Sequence, residues 1–188
     1  MIEERKLRRE KQESEHDPLT KLLNRRGLER RAEENWKTSV NRQETVAALA
    51  IAVDSFKAYN DKVGRGQGKL CIQRVAHSIT NTIRGYGVAA HVGNAEFLVF
   101  VHDRQVQEIY DLAEQIRANV EEMRLFGGNA NGGIVTVSVG FDVRYAAHDV
   151  SFKGLCDRAD KALYQAQQEG RSCVRSSQDM TERQAKIG

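Results

Sequence analysis

Apolar residues run unbroken from Val46 to Val53 and, with Thr45, give the stretch TVAALAIAV. A continuous run with turn-prone flanks predicts a central strand covered on both faces, not the alternation of a half-exposed one. It ends at Asp54. After a short polar segment, Ser55 to Gly64, the apolar positions Ile72, Val75, Ala76, Ile79 and Ile83 recur at helical spacing as far as Gly85. Val88 to Val92 and Ala95 to Val101 are β-prone runs separated by Gly93-Asn94. That spacing predicts a hairpin in which glycine supplies the positive φ of a tight I′ or II′ turn. Val106, Ile109, Ala113, Ile116, Val120 and Met123 share one helical face. Gly127 to Gly133 is a glycine and asparagine loop, and Ile134 to Val143 reads as a strand. Leu155, Ala159, Ala162, Leu163 and Ala166 mark a last helix stopping at Gly170, a C′ glycine, before a short strand from Ser172 to Arg175.

Upstream of these elements, residues 3 to 15 hold ten charged side chains of both signs with Leu7 almost alone among them. Such a stretch predicts a solvated helix, suited to connect an upstream domain. Asp17-Pro18 offers an N-cap or turn acid followed by a residue favoured at a first helical position, and a charged helix follows from about Arg25 to Lys37. The order is helix, strand, helix, hairpin, helix, strand, helix, strand, which predicts an α/β or α+β fold with helices on a central sheet. The division expected is a charged N-terminal helix or linker over 1–16, one folded domain over 17–175 and a polar C-terminal tail over 176–188.

The length, 188 residues, suits that single domain and tail. With 40% hydrophobic and 29% charged residues, and no apolar run long enough to cross a bilayer, no membrane span is expected. The first residues carry charge in place of a secretory h-region, so a cytoplasmic location is expected. A net charge of +3 spread along the chain, with 6% aromatic residues, argues against nucleic-acid binding. Cys71, Cys156 and Cys173 stand far apart without C-x-x-C spacing and read as reduced core filler.

Chemistry should sit where strand ends meet loops. Two such places are Asp54 to Asp61 (DSFKAYND) and the hairpin stretch HVGNAEFLVF from His91 to Phe100. A metal-dependent nucleotide enzyme needs oxygen ligands there, since Mg²⁺ is usually held by one or two carboxylates plus substrate phosphates. Asp54 and Glu96 are the only nominees. The alternative is structural: Asp54 caps the segment after the strand, and Glu96 points to solvent beside the turn.

Several segments together resemble the GGDEF domain of diguanylate cyclases. They are DPLTKLLNRR from Asp17, DSFKAYND from Asp54, Gly64 with Gly68, the Gly93 hairpin, VTVSVG from Val135, and ADKALYQA from Ala159 with Gly170-Arg171, in order and at family spacing over roughly residues 17 to 175. The resemblance implies a central, mostly antiparallel five-stranded sheet surrounded by helices, a fold similar to nucleotide-cyclase and polymerase palms. It also implies the family's reaction, in which two GTP condense to cyclic di-GMP between facing domains, Mg²⁺ or Mn²⁺ aiding 3′-hydroxyl attack on the α-phosphate.

Matched residue by residue, most of the reacting positions differ. The family's strand ends in Asp-x-Asp, whose first Asp binds metal; that position is Ala52, and only Asp54 remains. The signature Gly-Gly-Asp/Glu-Glu-Phe is here Gly93-Asn94-Ala95-Glu96-Phe97, so the other metal carboxylate is Ala95. A methyl group cannot coordinate a hard cation, and no metal ligand or cofactor is expected. The family's guanine-reading Asn is matched by Asn60, but its Asp by Lys69, which has donors and no acceptor. Lys57 and Arg171 match phosphate contacts, whereas a further lysine is Gln167. Of the inhibitory Arg-x-x-Asp, Arg84-Gly-Tyr-Gly87 keeps only the arginine, which can still meet a guanine edge or can simply be a helix-end cation.

The resulting expectation is a degenerate GGDEF domain, inactive as a cyclase and kept as a regulatory or protein-interaction module in cyclic di-GMP signalling. Its expected partner is a protein, or a second copy through the N-terminal helix. The alternative is a sensor binding GTP or cyclic di-GMP through Lys57, Asn60 and Arg171, with Arg84 as half of an inhibitory site, or a residual cyclase.

Overall fold

The structure, a computed structural model, describes residues 1–128 and 133–178. Part of the Gly127 to Gly133 loop and most of the 176–188 tail lie outside the described residues. The element order is α1 (Ile2–Glu15), α2 (Arg25–Asn41), β1 (Thr45–Val53), α3 (Phe56–Val63), α4 (Arg65–Ile83), β2 (Gly87–His91), β3 (Glu96–His102), α5 (Val106–Glu122), β4 (Val137–Tyr145), α6 (Phe152–Gln168) and β5 (Val174–Ser176).

The five strands form one sheet in the order β2-β3-β1-β4-β5. All neighbours pair antiparallel except β4 and β5, which are parallel. The central position of β1 explains its composition, since both faces of the strand are buried and every residue after Thr45 lies in the interior. Alternate side chains serve two cores. Leu49, Ile51 and Val53 pack with Ile72, Ile79, Ile109 and Ile116 of α4 and α5. Val46, Ala48, Ala50 and Ala52 pack with Leu28 of α2 and Leu155, Ala159 and Leu163 of α6.

The second layer is unusually close. A Cβ built on Gly140 of β4 would stand 2.0 Å from the Leu163 amide nitrogen and 2.5 Å from the Ala159 carbonyl oxygen. Small residues on both sides let the α6 backbone rest on the strand. The same layer carries an ion cluster around a buried carboxylate, in which Asp142 of β4 accepts from Arg158 Nε of α6 at 2.8 Å, from Arg144 Nε at 3.2 Å and from the Ser177 hydroxyl.

The expected elements are present with shifted ends, β4 starting at Val137 instead of Ile134 and β5 at Val174 instead of Ser172, and three further details sharpen the picture. The polar segment Ser55 to Gly64 contains a helix, α3, anchored by buried Phe56 and by stacking of Phe56 on Tyr59 at 5.9 Å. Asp17 is a turn acid, accepting from the Thr20 amide at 2.8 Å and hydroxyl at 2.7 Å, while the next helix begins at Arg25 with Asn24 accepting from the Gly27 amide. The hairpin joins β2 and β3, but neither Gly93 nor Asn94 has positive φ. The connection spans residues 92–95, with the Val92 amide donating to the Glu96 carbonyl at 3.0 Å, and a four-residue loop does not need the left-handed residues of a two-residue primed turn. The cysteines are free thiols, Cys71 and Cys156 buried and Cys173 half-buried. Among the described residues no helix is long and apolar enough to cross a membrane.

Candidate functional site

Sheet register brings the two nominated regions together. Ala52 of β1 is the cross-strand partner of Glu96 on β3, and the Val53 amide donates to the Ala95 carbonyl at 2.9 Å. On the other side Ala52 faces Ser138 of β4. Ala52 near the end of β1 and Ala95 in the β2–β3 connection therefore lie at the same end of the sheet, Ala52 only 4% exposed. Their side chains serve different layers, Ala52 in the core with α2 and α6 and Ala95 against the core with α4 and α5.

The retained acid is otherwise engaged. Asp54 does not cap α3, whose N-cap residue is Ser55 with no side-chain cap bond. Its carboxylate accepts from the Thr136 hydroxyl at 2.8 Å, the Ser138 hydroxyl at 2.7 Å and the Ser172 amide at 3.0 Å. Three donors take most of the roughly four lone-pair sites of a carboxylate. Asp54 thus ties the ends of β1, β4 and the α6–β5 connection to one another. Sequence reading missed Thr136, Ser138 and Ser172; the visible signal was two hydroxyls at alternate positions inside the apolar run IVTVSVG.

Glu96 is exposed, as its structural reading predicts. Its charge nevertheless reaches α6: burial pushes the Asp160 carboxyl up, the Arg25 guanidinium pulls it down, and Glu96 and Asp157 push it up again, for a net rise. Arg25 and Asp160 were not nominated from sequence. Among the described residues no three His, Cys, Asp or Glu side chains are grouped so as to hold a metal ion. The divalent ion implied by the family resemblance does not fit the side chains present at this end of β1, and no chemistry is routed through one.

A cavity of about 290 Å³ adjoins Asp54, lined also by Ser55, Lys62, Arg171 and Ser172. Ser55, Arg171 and Ser172 all have left-handed backbones, with φ of 53°, 65° and 45°. Such residues cost on the order of 1 kcal/mol each and tend to gather at ligand sites. Lys57 and Asn60 do not line this cavity; Lys57 is exposed on α3. Asn60 is half-buried, and its Oδ1 is the one buried side-chain polar atom without a hydrogen bond among the described residues. It lies against Gly68, where an added Cβ would come within 1.9 Å of it. Lys69, next in sequence, is exposed.

Arg84 follows α4, exposed, its Nη2 donating to Asn81 Oδ1 at 3.3 Å. At Gly87, the position of the missing acid, a Cβ would stand 2.1 Å from the Phe100 carbonyl oxygen. No carboxylate can return there without moving β3.

The sequence pattern of the family described as "Diguanylate cyclase, GGDEF domain" matches residues 14–173. Diguanylate cyclase A of Treponema denticola is 35% identical over 144 residues, 76% of this chain and 38% of that protein. Diguanylate cyclase DosC of Escherichia coli is 30% identical over 158 residues, 84% of this chain and 34% of that protein. The chain thus spans between a third and two fifths of the length of these relatives. Among solved structures, the coiled coil and GGDEF domain of DgcB from Caulobacter crescentus, in complex with c-di-GMP, superposes with a TM-score of 0.79 at 28% identity, covering 92% of this chain and 91% of that one. SiaD of Pseudomonas aeruginosa, in complex with its activator SiaC, gives a TM-score of 0.75 at 28% identity, covering 93% of this chain and 66% of that one.

Proposed function

The chain belongs to the GGDEF domain family of diguanylate cyclases, and we propose that it is a member without the family's catalysis, serving as a regulatory or protein-interaction module in cyclic di-GMP signalling. The observation that carries this reading is alanine at both positions matched to the family's metal carboxylates, Ala52 and Ala95, at one end of the sheet. Metal activation is worth several kcal/mol of transition-state stabilisation, and it requires oxygen ligands that neither methyl supplies. The engagement of Asp54 by three donors supports the same conclusion, because the remaining acid works as a structural tie. A scaffold that keeps its sheet and both cores while losing these carboxylates is suited to contact rather than turnover. Binding of an activator protein by the structurally similar SiaD supports a protein partner as the natural class of ligand.

A second reading, nucleotide binding without turnover, is favoured by the unpartnered Asn60 Oδ1 and by the cavity lined by Arg171. One calorimetric series addresses both readings. GTP, ATP and cyclic di-GMP are titrated into the protein in Mg²⁺ and again in EDTA. The expected result is that GTP binds no more tightly in Mg²⁺ than in EDTA. Metal-dependent tightening contradicts the catalytic loss, and an absence of heat at millimolar ligand removes the second reading.

A further inference from the structure

We propose that His91 is a proton-operated clasp between the chain segment leaving α1 and the signature turn. Its Nδ1 lies 3.0 Å from Asp17 Oδ2, and its Nε2 lies 3.2 Å from the Asn94 carbonyl oxygen. Both partners are acceptors. A neutral imidazole carries one N–H and can serve only one of them, whereas the imidazolium carries two and serves both.

The surroundings hold the ring in that position. The His91 side chain is 9% exposed and lies against Phe97, with ring centroids 5.0 Å apart. Its backbone amide donates to the Leu23 carbonyl at 2.9 Å, so the 17–23 segment is attached to β2 through main chain as well as side chain. Asp17 is fixed in turn by its two bonds from Thr20. The same segment leads directly from α1, and the Asn24 side chain donates back to the Ser14 carbonyl at 2.9 Å.

The elements around β2 carry further charged groups. From the N-terminal segment these are Asp17 and His16, the latter turned to the Lys21 carbonyl at 3.2 Å. β3 supplies Glu96, whose carboxylate lies beside Gly93. α4 carries the exposed Lys69, Arg74 and His77, and α2 carries Arg25, whose charge acts on Asp160. Among the described residues Asp17 alone is within ion-pair distance of the His91 ring.

The direction of the response follows from the strengths of the two bonds. A bond to a carboxylate is stronger than one to a neutral carbonyl, so the last proton stays on Nδ1. As pH rises, Nε2 then turns a lone pair toward the Asn94 oxygen, and the turn is released while the 17–22 segment stays attached. Acid opens the other side. Burial pushes the Asp17 carboxyl up, but the Thr20 bonds and His91 outweigh it and hold it below the ordinary value. A carboxylate so lowered contributes above its unfolded range, and the contribution is lost as pH falls through the lowered value. The clasp is closed where Asp17 is ionised and the His91 ring carries both protons.

Nuclear magnetic resonance tests this on the intact chain. The His91 ring signal and the backbone amides of Gly93 to Ala95 are followed from mildly acidic to mildly basic pH. The expected result is one shared midpoint, with the turn amides more mobile above it and the Thr20 amide little changed. His91→Lys, a fixed cation, and His91→Gln, a fixed neutral group, are each expected to abolish the titration of the turn. Turn amides that ignore pH in the natural protein, or that titrate with a midpoint different from the ring's, overturn the clasp without reference to any variant. A titration that survives in His91→Gln assigns it to another group, His16 foremost, and also overturns it.

Discussion

Placing carboxylates at both positions, Ala52→Asp with Ala95→Asp, is expected to make the stability of the protein depend on Mg²⁺ or Mn²⁺. Position 52 is 4% exposed in an apolar layer formed by α2 and α6, opposite Glu96. A new aspartate there is a nearly buried charge beside an acid, and Asp160, already raised by burial and by Glu96, adds to the repulsion. Without metal the double variant is expected to lose about 3 kcal/mol, within the range found when a buried charge is left uncompensated. A divalent cation supplies the missing positive charge and binds only the folded chain. At a hundred times its dissociation constant it returns about 2.7 kcal/mol. Urea unfolding with and without Mn²⁺ measures this, the natural protein showing no difference. A double variant equally stable in both conditions means that the two positions do not converge. Adding Lys69→Asp, which replaces a donor by an acceptor near Asn60, is expected to bring the first detectable turnover of GTP.

Gly140→Ala is expected to be among the most damaging single-methyl additions to this chain, costing about 3 kcal/mol, the upper end for overpacking a core. The added carbon meets the α6 backbone at Leu163, Ala159 and Ala162, all within 2.6 Å, and none of these atoms can turn aside as a side chain can. The helix must lift from β4, loosening its contacts with Ala48, Ala50 and Ala52 of β1 as well. Gly66→Ala is the control, since Gly66 lies in α4 with nothing within 4 Å of an added Cβ. It is expected to change stability by less than about 1 kcal/mol, in the stabilising direction set by helix propensity. Equal urea midpoints for the two variants contradict the close α6 contact.

The sheet was legible because burial on both faces leaves a pattern that needs no partner to be read. Thr45 to Val53 has the same limits in sequence and structure, and the paired runs around Gly93-Asn94 form neighbouring strands to within one residue. α3 was not legible. Between Ser55 and Gly64 the apolar side chains are few, and what holds the helix is the burial of Phe56 and its stacking on Tyr59. The turn was read with the wrong backbone, because counting from Val92 to Ala95 gives a two-residue loop only if pairing extends to both, and it stops at His91 and Phe97. The residue types at positions 52, 69 and 95 could be read from the chain, but the duty of Asp54 could not. Its partners Thr136, Ser138 and Ser172 lie 82, 84 and 118 residues away. The Asp17–His91 contact is hidden for the same reason, as only folding places a turn acid beside the end of a strand.

The proposed absence of catalysis is tested most directly by turnover. The purified chain is incubated at high concentration with GTP and Mg²⁺, and separately with Mn²⁺, and cyclic di-GMP is quantified against a reaction without protein. With methyl groups at 52 and 95, product is expected to stay at the level of that control under both metals. Cyclic di-GMP accumulating in proportion to the protein added contradicts the account.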